Sequence, residues 1–132
     1  MKKYIVLAIT LFCFITLLVG CSTNDTKKFK LRNVNSIVLE DYTTEGSVTI
    51  VDKDTVSTLV NNFNKLSIKH YREVMPATSG FSIIFKDADG NTIDNFIIIG
   101  KTLIFYSGTG IWYDVMKGTI DFDLIKTQLE KQ

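Results

Sequence analysis

Residues 81–116 read FSIIFKDADGNTIDNFIIIGKTLIFYSGTGIWYDVM, and this stretch decides the fold. Four runs rich in Ile, Phe, Tyr and Thr alternate with three breaks that contain Gly. The runs Phe81–Lys86, Thr92–Ile99, Thr102–Tyr106 and Ile111–Met116 are predicted strands. The breaks are Asp87-Ala88-Asp89-Gly90, Gly100-Lys101 and Ser107-Gly108-Thr109-Gly110. A parallel connection needs a crossover of roughly a dozen residues or more, and none of these breaks is that long. The four strands are therefore expected to be antiparallel neighbours. Apolar residues stand at adjacent positions in FIII (96–99) and LIF (103–105), so partial cover on both faces of the sheet is expected.

Working outward, the period changes from two to about 3.6 before this stretch. Val56, Leu59, Val60, Phe63 and Leu66 recur at three- and four-residue spacing, with Asn61, Asn62, Asn64 and Lys65 off the stripe. Asp52 is the predicted N-cap of a helix over about 53–66. Ahead of it, 34–41 and 47–51 are strand-like around the turn Thr43-Thr44-Glu45-Gly46, and read as a hairpin. After the helix, 68–75 is a predicted edge strand, and Pro76–Ser79 a loop. Asp121 caps a short predicted helix over about 122–130, with Ile120 and Ile125 at staple spacing. The expected class is α+β: one antiparallel sheet of about six to seven strands, with the main helix and the short C-terminal helix on one face.

The N-terminus has a different composition. Lys2 and Lys3 precede sixteen uncharged residues, Tyr4 to Val19, and the chain turns polar at Ser22-Thr23-Asn24-Asp25. A positive start, an apolar run shorter than the ~20 residues of a spanning helix and a small residue at its end describe a secretory leader. At its end stands Leu18-Val19-Gly20-Cys21. This motif resembles the lipobox of bacterial lipoproteins. The resemblance implies cleavage between Gly20 and Cys21, diacylglycerol on the Cys21 sulfur and residence on the extracytoplasmic face of the cell membrane. One acyl chain binds a bilayer marginally and two bind it stably, at about 0.8 kcal/mol per buried CH₂. The rest of the chain is similar in its rhythm of strands, capped helix and Asp-x-Asp-Gly turn to small lipoproteins of Gram-positive bacteria. The expected organisation is a leader over 1–20, a lipidated Cys21 with a flexible tether over 21–33, and one domain over 34–132.

Removal of the leader would leave 13 Lys and Arg against 14 Asp and Glu. That balance gives no electrostatic case for nucleic acid, whose binding is dominated by phosphate neutralisation. The cluster Lys27, Lys28, Lys30, Arg32 stands apart and suits anionic headgroups or plain solvent. The chain has two cysteines, Cys13 in the leader and Cys21. The domain behind Cys21 is thus expected to fold without disulfides, on about 100 residues of core-forming sequence.

No catalytic pattern emerges. His70 is the single histidine, and no Gly-x-Ser-x-Gly elbow accompanies it. A zinc site lacks its nitrogen and sulfur ligands. Asp87-Ala88-Asp89-Gly90-Asn91 has oxygens at alternate positions, but its Gly is fourth from Asp87, where a calcium loop has it sixth. It is expected to be a hairpin turn, as is Ser107–Gly110, which no helix follows to receive a phosphate. The expected cofactor complement is none.

The aromatics beside Ser107–Gly110 are the candidate partner surface: Tyr106, Trp112 and Tyr113, with Phe105 adjacent. Register would place either Tyr106 with Trp112 or Phe105 with Tyr113 on an exposed face. The expected function is a non-enzymatic, membrane-anchored module for a protein, peptide or envelope component. A bacteriocin-immunity lipoprotein and a solute- or signal-binding accessory of an envelope sensor are the alternatives.

Overall fold

Where the period of the sequence switches, the backbone switches with it. The computed structural model describes residues 26–73 and 80–131. In chain order they form β1 (Lys27–Lys28), β2 (Ser36–Asp41), β3 (Ser47–Ile50), α1 (Lys53–Lys65), β4 (Ser67–His70), β5 (Phe81–Lys86), β6 (Thr92–Ile99), β7 (Leu103–Tyr106), β8 (Ile111–Lys117) and α2 (Phe122–Leu129). The eight strands make one sheet in the order β1-β4-β8-β7-β6-β5-β2-β3. Every neighbouring pair is antiparallel. The fold is α+β, with eight strands where six to seven were expected.

Local chemistry accounts for the element ends. Asp52 caps α1: its carboxylate accepts from the Thr55 amide at 2.9 Å and the Thr55 hydroxyl at 2.7 Å. Asp121 caps α2 by accepting from the Leu124 amide at 3.2 Å. Gly90 closes the β5–β6 hairpin at φ 83°, a conformation that a Cβ disfavours. The thirteen residues of α1 span about 20 Å and carry the chain from β3 at one edge towards β4 near the other.

Alternation along the strands sorts the core onto one face. Ile37, Leu39, Ile83, Phe85, Phe96, Ile98, Ile104 and Tyr113 are all buried there, against Val56, Leu59 and Phe63 of α1 and Ile125 of α2. Phe63 is the hub, its ring centroid 5.2 Å from that of Phe85 and 5.4 Å from that of Phe96. Phe122 of α2 meets Phe81 on the same face at 5.1 Å. Both helices therefore cover one side. Among the described residues no helix packs on the other. Ile97, Ile99, Leu103 and Phe105 point to that open side and are only half-buried.

The N-terminal segment also differs from expectation. The flexible tether was placed at residues 21–33, yet Lys27 and Lys28 pair with Ile68 and Ser67 as β1. Phe29 and Leu31 are 8% and 3% exposed, and the Phe29 ring lies 4.7 Å from Phe96. Asn64 of α1 receives the Leu31 amide at 2.7 Å and donates to the Leu31 carbonyl at 3.0 Å. Burial of two large side chains and a two-bond amide clasp order this segment. β1 is also the strand that raises the count to eight.

Two smaller corrections concern boundaries. β4 ends at His70, short of the expected 68–75, although the Tyr71 amide still donates to the Trp112 carbonyl at 2.9 Å. Thr102 belongs to the β6–β7 turn, not to β7. The leader, the Leu18–Cys21 motif and the Pro76–Ser79 loop lie outside the described residues.

Candidate functional site

Two strands fix the fate of the four aromatics. Phe105 pairs with Trp112, Ile104 with Tyr113 and Tyr106 with Ile111. Facing residues share a side of the sheet, so Phe105 and Trp112 stand together on the open face, while Tyr106 and Tyr113 turn into the core. Neither expected pairing, Tyr106 with Trp112 or Phe105 with Tyr113, occurs. A one-residue change of register reverses every side chain, and the turn Ser107–Gly110 sets that register.

Tyr113 is 3% exposed, and its hydroxyl donates to Thr109 Oγ1 at 3.3 Å. It is a core residue and is withdrawn from the candidate surface. Tyr106 packs between Phe29, at 5.9 Å, and Phe96, at 4.9 Å. Its hydroxyl donates to Asp94 Oδ1 at 2.7 Å. That bond, reinforced by burial and by the Asp94 charge, pushes the Tyr106 hydroxyl up to about 12. Gly108 crosses close over the ring: a Cβ there would stand 2.8 Å from ring atoms of Tyr106. Tyr106 is thus a packed, hydrogen-bonded support and leaves the surface too. Trp112 alone of the three stays.

Around Trp112 the open face is built in rows across the sheet. The central row runs Ser82, Ile97, Phe105, Trp112. The Phe105 and Trp112 rings are 5.1 Å apart at 51°, a tilted contact. The next row runs Ile99, Leu103, Asp114, Lys69. On the far side Val38 pairs with Ile84. The apolar members are all half-buried, so they shield one another only partly. Ser82 is the buried polar exception, its hydroxyl donating to Asn95 Oδ1 at 3.1 Å. Ile97, Ile99 and Leu103 were missed as surface residues. The signal was present in FIII and LIF, where every second apolar residue has to face away from the core.

The polar candidates are spent on structure. Asp87 Oδ1 accepts from the Asp89 and Asn91 amides at 3.0 and 2.9 Å, and Oδ2 accepts from Asn91 Nδ2 at 3.2 Å. These bonds, the Asn91 amide first, hold the Asp87 carboxyl below the usual carboxylate range and occupy its oxygens in turn formation. Asp94 is committed to Tyr106. Among the described residues no three or more His, Cys, Asp or Glu gather in metal-binding proximity. His70 is exposed on β4, its ring 6.3 Å from that of Tyr113.

Two depressions of ≈ 250 and ≈ 270 Å³ lie near the β2–β3 turn and α2, bordered by Asp41, Thr44 and Phe81. Both fall short of the roughly 300–1,000 Å³ usual for small-molecule sites, whereas two further depressions, one beside Tyr42 and Ser47 and one between Arg32 and Lys53, reach ≈ 340 Å³, the low end of that range. Asp41 in the first two is already bonded to the Thr43 amide at 2.7 Å and the Thr44 hydroxyl at 3.0 Å. The Thr43 bond is the main reason its carboxyl sits below the ordinary range. The open sheet face carries a contiguous row of half-buried apolar residues and is the candidate site.

Comparison with protein-family models, curated proteins and solved structures finds no match to this chain. Among the described residues no helix is long and apolar enough to cross a membrane.

Proposed function

We propose that the chain is a lipid-anchored extracytoplasmic protein whose α+β domain works by binding, without catalysis, through its uncovered sheet face. The location rests on the leader and on Leu18-Val19-Gly20-Cys21. The binding reading rests on one observation: Ile97, Phe105 and Trp112 form a contiguous apolar row on a face that neither helix covers. Apolar patches that a fold leaves uncovered mark contact surfaces, and aromatics contribute most to such contacts. A protein, a peptide or another envelope component is the class of ligand that suits a broad, nearly flat surface.

The anchor is tested by Cys21→Ala. The variant is expected to lose its lipid mass and to be released or left unprocessed. Mature-sized protein still bound to membranes would refute the anchor. The binding face is tested by a photo-crosslinking residue in place of Phe105 in intact cells. Crosslinks from this site, absent when the same residue replaces exposed Thr58 on α1, support the reading. Equal labelling from both positions rejects it.

A further inference from the structure

The open face raises the question of what covers it, and the charges and the leash of this domain point to an answer. Of the 13 Lys and Arg after Cys21, six lie in 27–32 and 69–72. They are Lys27, Lys28, Lys30, Arg32, Lys69 and Arg72, and all are exposed. These two segments contain no carboxylate, although Asp25 and Glu73 flank them. The pairing of β1 with β4 brings the segments side by side. The ion pairs among the described residues, Lys101–Asp123 and Lys126–Glu130, use none of the six. The other seven cations share the remaining sequence with all 14 carboxylates after Cys21. A domain with nearly zero net charge thus gathers six cations at the β1–β4 edge, bordered on the open face by Asp114 of β8, which stands opposite Lys69.

That edge is also where the anchor attaches. Five residues, 22–26, separate Cys21 from Lys27, so six residue spacings reach at most about 20 Å even when fully extended. By register, Thr26 leaves β1 on the side of Lys69. β8 lies two strands in from β1, about 10 Å away. Trp112 and Phe105 on the open face are thus within reach of whatever surface holds the lipid.

We propose that the uncovered face, at its β1–β4–β8 side, docks on an anionic lipid surface: Lys28 and Lys69, which share the Trp112 side of the sheet, meet phospholipid phosphates, and Trp112 with Phe105 enters the headgroup interface. The occupant is the membrane that carries the anchor, so this inference rests on the lipid-anchor reading above. Basic residues near an anionic leaflet each contribute a factor of about five at low salt. Tryptophan favours the interface because its ring is apolar and its N–H remains hydrated.

Trp112 is the sole tryptophan of the chain, which makes its emission a specific probe. The full chain is processed in a lipoprotein-producing host, purified in detergent and reconstituted into vesicles of phosphatidylcholine, with or without phosphatidylglycerol, containing brominated lipid. Mass spectrometry on the same sample reads the anchor. Docking predicts that brominated lipid quenches Trp112 in phosphatidylglycerol vesicles and that aqueous iodide does not. It also predicts that 0.5 M salt reverses both. Lys28→Gln is expected to lower the docked-to-undocked ratio about fivefold without changing the anchor or the circular dichroism. Lys69→Gln is expected to lower it about fivefold and leaves β1 untouched.

Iodide quenching without bromine quenching in a lipidated chain overturns the docking while the anchor stands. Protection from both quenchers means that the face is buried against a second copy, and it also overturns the docking. A chain with no lipid on Cys21 removes the leash, and both readings fall.

Discussion

The two faces of one sheet are built from the same strands and the same residue types, yet they differ in what encloses them. Ile98 and Ile104 on the helix side are fully buried, whereas Ile97 and Phe105, one position along each strand, are half-buried. The covered face has Phe63, Phe29 and Tyr106 packed around Phe96, and its polar atoms are matched by Asn64 and Asp94. The open face has one tilted ring pair and a single Ser–Asn bond. Residue chemistry alone does not decide burial. The helices do, and they can cover only one side.

Substitutions measure that difference. Phe63→Ala removes the hub of the covered face and is expected to cost about 3–5 kcal/mol, read by urea unfolding. A loss below about 1 kcal/mol would break the comparison, because the covered face would then not be the stabilising one. Asn64→Ala leaves the Leu31 amide and carbonyl without their partners and is expected to cost about 1–3 kcal/mol. Hydrogen exchange at Leu31 should accelerate ahead of exchange in α1; unchanged protection would mean that burial of Phe29 and Leu31 suffices without the clasp.

Tyr106→Phe is expected to cost about 1 kcal/mol near neutral pH, through loss of the bond to Asp94. The same residue sets an alkaline limit. Its folded pKa of about 12 exceeds the ordinary 10, so the native state favours the neutral phenol. That contribution is complete below pH 10 and disappears as pH rises through 12. The urea midpoint of the wild-type chain should fall across this window, and by less in Tyr106→Phe; identical profiles would assign the alkaline loss to other groups. Trp112→Ala is the smallest expected effect, at or below about 1 kcal/mol, with binding rather than folding as its main loss. A cost near that of Phe63→Ala would make the open face part of the core.

Much of the covered face was legible because its signals are local. Asp52 and Asp121 announce their helices through side chains that reach three residues ahead, and the stripe Val56, Leu59, Phe63 carries its own period. The hairpins are equally local, since Gly-containing turns force neighbours to pair. The site was less legible. Which aromatics face outward depends on the register across Ser107–Gly110, a geometric property of the turn that composition does not state. The N-terminal segment was misread because its charge density suggests solvent. Its pattern Lys28-Phe29-Lys30-Leu31-Arg32 nevertheless alternates polar and apolar, the mark of a chain with one buried side. Nothing within that pattern says that the buried side belongs between α1 and the sheet.

The placement of Phe29 has a consequence for the order in which the chain assembles. Its ring meets Tyr106, seventy-seven positions away, and β1 needs β4 to be in place before it can pair. Contacts between such distant positions carry a large closure entropy and form late. The hairpins of β5 to β8 close over a few residues each and precede it. An exported chain tethered at Cys21 would therefore complete its fold at the tethered end last. If Cys21 carries the proposed anchor, the slack beside it would until that moment be longer than the five residues that remain afterwards, and the final event of folding would reel the domain in toward the bilayer.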